Sequence, residues 1–197
     1  MTYLEKVKGF MFSPSESFNR VMPDTLKDAF KYYIVFLIIY AILQSITLSA
    51  FLTTKSLHTS IFGPLMQLIG NDHEAILAIM MFITIMVFGI IGIFITGIWL
   101  HFYVYMAGGR MGIEQTIKAL MYGITPYFIL GWIPVIGIIA GIWSIVVEII
   151  GVQQLHDLST GKAVVAYILA IFILIIVYDA IIAMFVFSIG PPAPHKY

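Results

Sequence analysis

Two carboxylates, Glu148 and Asp179, stand deep inside apolar runs where little else is charged. A carboxylate in the bilayer core costs roughly 2.5–3.5 kcal/mol on insertion scales, so its presence calls for a reason. No Lys or Arg lies at comparable depth in any run. Each acid must therefore be protonated, hydrogen-bonded, or close to water or a cation. Counted from the ends of the runs at 1.5 Å per residue, Glu148 falls about 5 Å to one side of the midplane and Asp179 about 5 Å to the other. Tyr40 and Gln44 match the depth of Asp179, while Tyr122 and Thr125 are the candidate partners of Glu148. Two readings stay open: polar contacts that hold helices together, or a path for protons or cations.

A second polar group gathers toward the ends of the runs, where His101, Arg110, His156 and Asp157 are neighbours in topology and form a candidate cytoplasmic polar cluster. Metal ligation needs convergent ligands at about 2 Å, and neither HExxH nor a comparable spacing occurs, so no metal is expected. Catalytic signals are weak. There is no Gly-x-Ser-x-Gly elbow, and Thr160-Gly161-Lys162 lacks the glycine before it and the hydroxyl after it that a phosphate-binding loop requires. No enzyme activity, catalytic residue or cofactor is expected.

The elements that must position these residues are long apolar helices. Of 197 residues, 61% are hydrophobic and 10% charged, too little polar surface for a soluble domain but ample for lipid. A run of about 18 or more apolar residues is long enough to cross the hydrocarbon core. Five runs are read as spans, at 31–52, 75–106, 116–132, 134–155 and 162–189, giving an all-α polytopic membrane protein: a five-helix transmembrane bundle over 31–189. A short amphipathic lead, 1–30, precedes it and a tail, 190–197, follows. Lys6, Lys8, Arg20, Lys27, Lys31, Arg110, Lys118 and Lys162 fall on one side of this zigzag and Lys55 and Lys196 on the other. The positive-inside rule then puts the N-terminus in the cytoplasm and the C-terminus outside. Net charge is zero and cysteine is absent, so neither nucleic acid as a partner nor a disulfide is expected.

Within the lead, Leu4, Val7 and Met11 recur at helical spacing opposite Glu5 and Lys8, which predicts a helix on the headgroups. Ser13 is expected to cap a second helix, with Pro14 at its first position and Glu16 reaching back. Asp24 is expected to cap the first span, whose Tyr33, Tyr40, Gln44 and Thr47 share a face turned into the bundle. Gly89, Gly92, Thr96, Trp99 and Tyr103 make a stripe on the second. Pro126 should kink the third and leave the carbonyl of Tyr122 unpaired. The fourth carries a seam of Gly137, Gly141, Ser144, Glu148 and Gly151, small residues that let another helix approach. Ala163, Ala166 and Ala170 share one face of the fifth. The apolar loop at 53–74 is expected to dip into the outer interface.

Several segments, in order, resemble the Yip-domain family of five-span membrane proteins and its prokaryotic members in particular. They are Tyr105-Met106-Ala107-Gly108-Gly109-Arg110, Tyr122-Gly123-Ile124-Thr125-Pro126, Gly131-Trp132-Ile133-Pro134, Gly151-Val152-Gln153-Gln154-Leu155-His156 and Ser159-Thr160-Gly161-Lys162-Ala163; Ser13-Pro14-x-x-x-Phe18 matches near the start. The resemblance implies five helices, a cytoplasmic N-terminus and self-association or partner binding in the membrane. The lead of about 30 residues is shorter than the cytoplasmic domain of the eukaryotic members and lacks an Asp-Leu-x-Gly-Pro segment, so binding of a Rab-type GTPase is not implied. The expected function is non-enzymatic: organising the bilayer by lateral helix contacts, as a homo-oligomer or with a cytoplasmic protein partner. The alternative is a small proton or cation channel or transporter built on Glu148 and Asp179. A prokaryotic member would sit in the cell membrane.

Overall fold

A computed structural model of the chain describes residues 1–52 and 73–189. The elements are α1 (Tyr3–Phe12), α2 (Pro14–Val21), α3 (Leu26–Leu52), α4 (His73–Met106), α5 (Ile113–Gly123), α6 (Thr125–Leu130), α7 (Ile136–Leu155) and α8 (Thr160–Ile189), with no strand among the described residues. The tail at 190–197, Lys55, Lys196 and all but the last two residues of the apolar loop lie outside this description.

Four helices among the described residues, not five, are long and apolar enough to cross a membrane: α3, α4, α7 and α8. The expected third span, 116–132, is divided into an 11-residue helix and a 6-residue helix. The cause is local. Pro126 has no amide hydrogen and its ring crowds the carbonyl four residues back, so the ladder cannot run through it. That carbonyl, of Tyr122, is nonetheless paired: the Thr125 hydroxyl donates to it at 2.6 Å, which corrects the expectation that it stands unpaired. The amide of Tyr127 donates sideways to Ser144 Oγ of α7 at 2.9 Å. The break is thereby stitched to the neighbouring helix.

α5, α6 and α7 form a hairpin whose turn, 131–135, carries several backbone bonds of its own. Ile133, Ile136, Gly137 and Ile138 donate to Leu130, Pro134, Ile133 and Val135, and the Trp132 indole donates to Ile129 O at 3.0 Å. No charged residue occurs between Lys118 and Glu148. The hairpin is shorter than its neighbours. Tyr40 of α3 donates to the Tyr127 hydroxyl, yet α3 runs on to Leu52, about 18 Å further at 1.5 Å per residue. Trp99 of α4 donates to Ala170 O, and α8 continues to Ile189. Among the described residues, only α3, α4 and α8 extend beyond the hairpin's turn.

The opposite end, called here the lead end, is crowded. Phe10 and Phe18 of the lead are fully buried. Phe10 stacks on Tyr122 at 5.1 Å and meets Phe18 edge-on at 4.9 Å. Tyr3 stacks on Tyr32 of α3, and the Trp143 indole of α7 donates to Met11 O at 3.0 Å. The lead is therefore docked into the bundle, with Phe10 as its anchor, while Leu4 remains 82% exposed. Its caps also differ from expectation. Thr2 and Glu5 form the capping box of α1, Ser13 makes no side-chain cap, and Glu16 pairs with Arg20. Pro14 does occupy the first turn of α2. Thr25 and Asp28 exchange bonds at the start of α3, which frees Asp24 for other work.

Candidate functional site

The small-residue seam of α7 brings the hairpin and lead together. An added Cβ at Gly137 would lie 2.5 Å from Gly131 O, and one at Gly151 would lie 2.5 Å from the Phe18 ring. Gly141 is looser, 3.7 Å from the Tyr127 ring. Ser144 holds the Tyr127 amide. Across the seam, a Cβ on Gly123 would stand 2.8 Å from Glu148 Cα and 2.9 Å from its nitrogen. Only glycine lets the end of α5 pass so near the backbone of α7.

Glu148 is buried there, and its partner is Tyr167 of α8, whose hydroxyl donates to the carboxylate. Neither expected partner touches it. The Tyr122 hydroxyl donates to Asp24 Oδ2, which also takes the Lys6 ammonium at 2.6 Å, and the Thr125 hydroxyl pairs with that of Tyr32 at 3.0 Å. The sequence holds a signal for Tyr167, because it lies one residue past Ala166 on the face of Ala163 and Ala170. A ring set in an alanine stripe has room to reach a neighbouring helix.

Asp179 is exposed on α8, and no bond joins it to either residue matched to it by depth. Tyr40 bonds Tyr127, and the buried Gln44 Oε1 has no partner among the described residues. Glu148 and Asp179 do not share a site.

At the lead end, His101 and His156 do meet, through a residue that the spacing did not single out. Thr116 Oγ1 lies 2.8 Å from His101 Nδ1 and 2.8 Å from His156 Nε2. A hydroxyl between two imidazoles can donate to one and accept from the other. Burial, with His101 adding its repulsion, pushes His156 down to about 4. Protonation would also put an N–H on Nδ1, a buried atom with no partner among the described residues. Arg110 stays outside this pair, lying over the Tyr105 ring at 3.8 Å and donating to Tyr105 O. Asp157 is exposed, in the left-handed region at φ 52°. Of the four expected residues, two converge. Among the described residues no group of three or more His, Cys, Asp or Glu could hold a metal.

The Gly108-Gly109 pair explains its own composition. Gly108 has φ +106°, a conformation that side chains resist, and a Cβ at Gly109 would lie 3.0 Å from His156 Nδ1. The turn after α4 thus seats directly on the imidazole.

No curated protein and no solved structure matches the chain. The Yip1 domain family model, in contrast, matches residues 8–182. That match runs from the docked lead through the histidine pair and hairpin into the last helix, and the chain belongs to the Yip1 domain family.

Proposed function

We propose that this protein is a non-enzymatic membrane-shaping element, with its lead end in the cytoplasmic leaflet. The observation that carries this reading is the unequal cross-section of the bundle. At the lead end α1, α2 and the hairpin are added to α3, α4 and α8, and among the described residues only those three extend beyond the hairpin's turn. A body wider in one leaflet than the other displaces unequal numbers of lipids, and it has lower energy where the membrane curves toward its narrow side. Eight of ten basic residues belong to the wide end, which supports a cytoplasmic placement.

The buried polar groups fit this role. Glu148 takes Tyr167, Tyr32 takes Thr125, and Trp99 takes a backbone carbonyl, so each holds one helix to another. Such pairs contribute on the order of 1 kcal/mol each in a membrane.

The test is curvature sorting. The full chain, fluorescently labelled and reconstituted into giant vesicles, is compared on a pulled membrane tube and on the parent vesicle. Enrichment on tubes whose outer leaflet holds the lead end is expected, together with background proton and potassium flux. Equal densities on tube and vesicle would sink the proposal, and flux abolished by Glu148→Gln would replace it with transport.

A further inference from the structure

Between α1 and the start of α3 lies an open cavity of about 330 Å³ lined by Met1, Tyr3, Lys6, Asp24, Asp28, Lys31 and Tyr32. The side chains that line it carry two ammonium groups and two carboxylates, so their charges balance in sum and are strong in their parts. A purely anionic ligand would meet both acids and a purely cationic one both lysines, each at the cost of like-charge contact. The complement is a small ligand with one positive and one negative pole.

The lining divides into a fixed half and an open half. Lys6 is held by Asp24 at 2.6 Å and by the Tyr122 hydroxyl at 3.1 Å, and its ammonium lies over the Tyr122 ring at 4.9 Å. Asp28 and Lys31 are exposed. Asp28 receives both Thr25 bonds on Oδ2, and a carboxylate has further lone pairs to offer. Asp28 can take a ligand ammonium and Lys31 a ligand phosphate, each bond strengthened by charge.

What continues from the cavity identifies the ligand as a lipid. Lys31, Val35, Ile38 and Ile42 follow one another on α3 at spacings of four, three and four, a single stripe of the helix. The three apolar members are 40%, 37% and 46% exposed. A charged recess at the head of a bare aliphatic stripe fits a headgroup with its acyl chain below.

We infer that this cavity binds a phospholipid whose headgroup carries both a phosphate and a primary amine, with one acyl chain along Val35, Ile38 and Ile42. A primary ammonium donates hydrogen bonds to Asp28, whereas a quaternary ammonium cannot. The quaternary group would need open aromatic faces, but Tyr3 and Tyr32 are stacked on each other at 5.8 Å. Phosphatidylethanolamine is therefore preferred over phosphatidylcholine, and over phosphatidylglycerol, which lacks the positive pole.

Native mass spectrometry of the full chain, released from detergent and titrated with each of these three lipids, tests the assignment. The expected result is retention of phosphatidylethanolamine about tenfold tighter than the others, the factor one charge-assisted bond supplies. Asp28→Asn, which keeps an acceptor for Thr25, should erase the preference over phosphatidylglycerol. Lys31→Gln should weaken all three lipids. Both positions are exposed, and unchanged melting temperatures will show that the variants are folded. Equal retention of the three lipids by the native chain, or a preference that survives Asp28→Asn, would overturn the inference. So would thermal stabilisation by soluble glycerophosphoethanolamine equal to that by the lipid, since the stripe would then contribute nothing.

Discussion

Gly123 and Gly92 are both helical glycines in apolar surroundings, yet they answer different demands. Nothing lies within 4 Å of a Cβ added at Gly92, while one at Gly123 runs into the backbone of Glu148. Gly92→Ala should therefore stabilise the protein by about 0.5–1 kcal/mol through reduced backbone entropy. Gly123→Ala should destabilise it by roughly 1–3 kcal/mol, because backbone cannot step aside as a flexible side chain can. Melting temperatures in one detergent decide both; a neutral Gly123→Ala would mean that α5 and α7 are not so close. His156 gives the pH dependence. Its folded value of about 4 lies below the ordinary 6.5 or so, so between these values the unfolded chain binds a proton that the folded chain refuses. The contribution is fully present above pH of about 6.5 and is lost as pH falls toward 4. Wild type should lose melting temperature over that window, and His156→Gln, which can still bond Thr116, should lose less. Parallel curves for the two would remove His156 from the account.

Helix positions were legible at the scale of elements because hydropathy and length speak for whole runs; α4 begins two residues before its expected start and ends at its expected end, 106. The break in the third run was half legible. Pro126 announced it, but the reach of Ser144 to Tyr127 and of Thr125 to Tyr122 depends on which neighbour the hairpin presents. Partners across helices were not legible, because depth leaves rotation about each axis free. Glu148 accordingly paired with Tyr167 and not with Tyr122 or Thr125. The docking of the lead is not legible for a related reason: helical spacing identifies an apolar face but not what covers it, and the buried anchor is Phe10, while Leu4 is exposed. Phe10→Ala should cost about 3–5 kcal/mol and loosen the lead, so that trypsin cuts after Lys6 and Lys8 faster than in wild type while the rest of the chain resists. Unchanged cutting would show that the lead is held by other contacts.

At the scale of the molecule, the described residues are broad at the lead end and narrow past the turn of the hairpin. On the proposed orientation, cysteines at Ser15 and Ser159, both exposed, should react with an impermeant maleimide from the cytoplasmic side. A cysteine at Val135, 74% exposed on the isolated chain, should react from neither side, because the turn carries no charged residue and stops short of the ends of α3, α4 and α8. Reaction from the outside would mean that the hairpin crosses fully and that the narrow end is wider than proposed. The turn's internal backbone bonds also bear on how the protein is made. Each backbone group bonded within the segment is one fewer that needs water at its tip, and here no charged side chain has to be carried across. On the proposed orientation, α5, α6 and α7 enter the bilayer already paired, from the side where Ile113 and Leu155 remain. Gly123, which permits that pairing, then governs biogenesis before it governs stability.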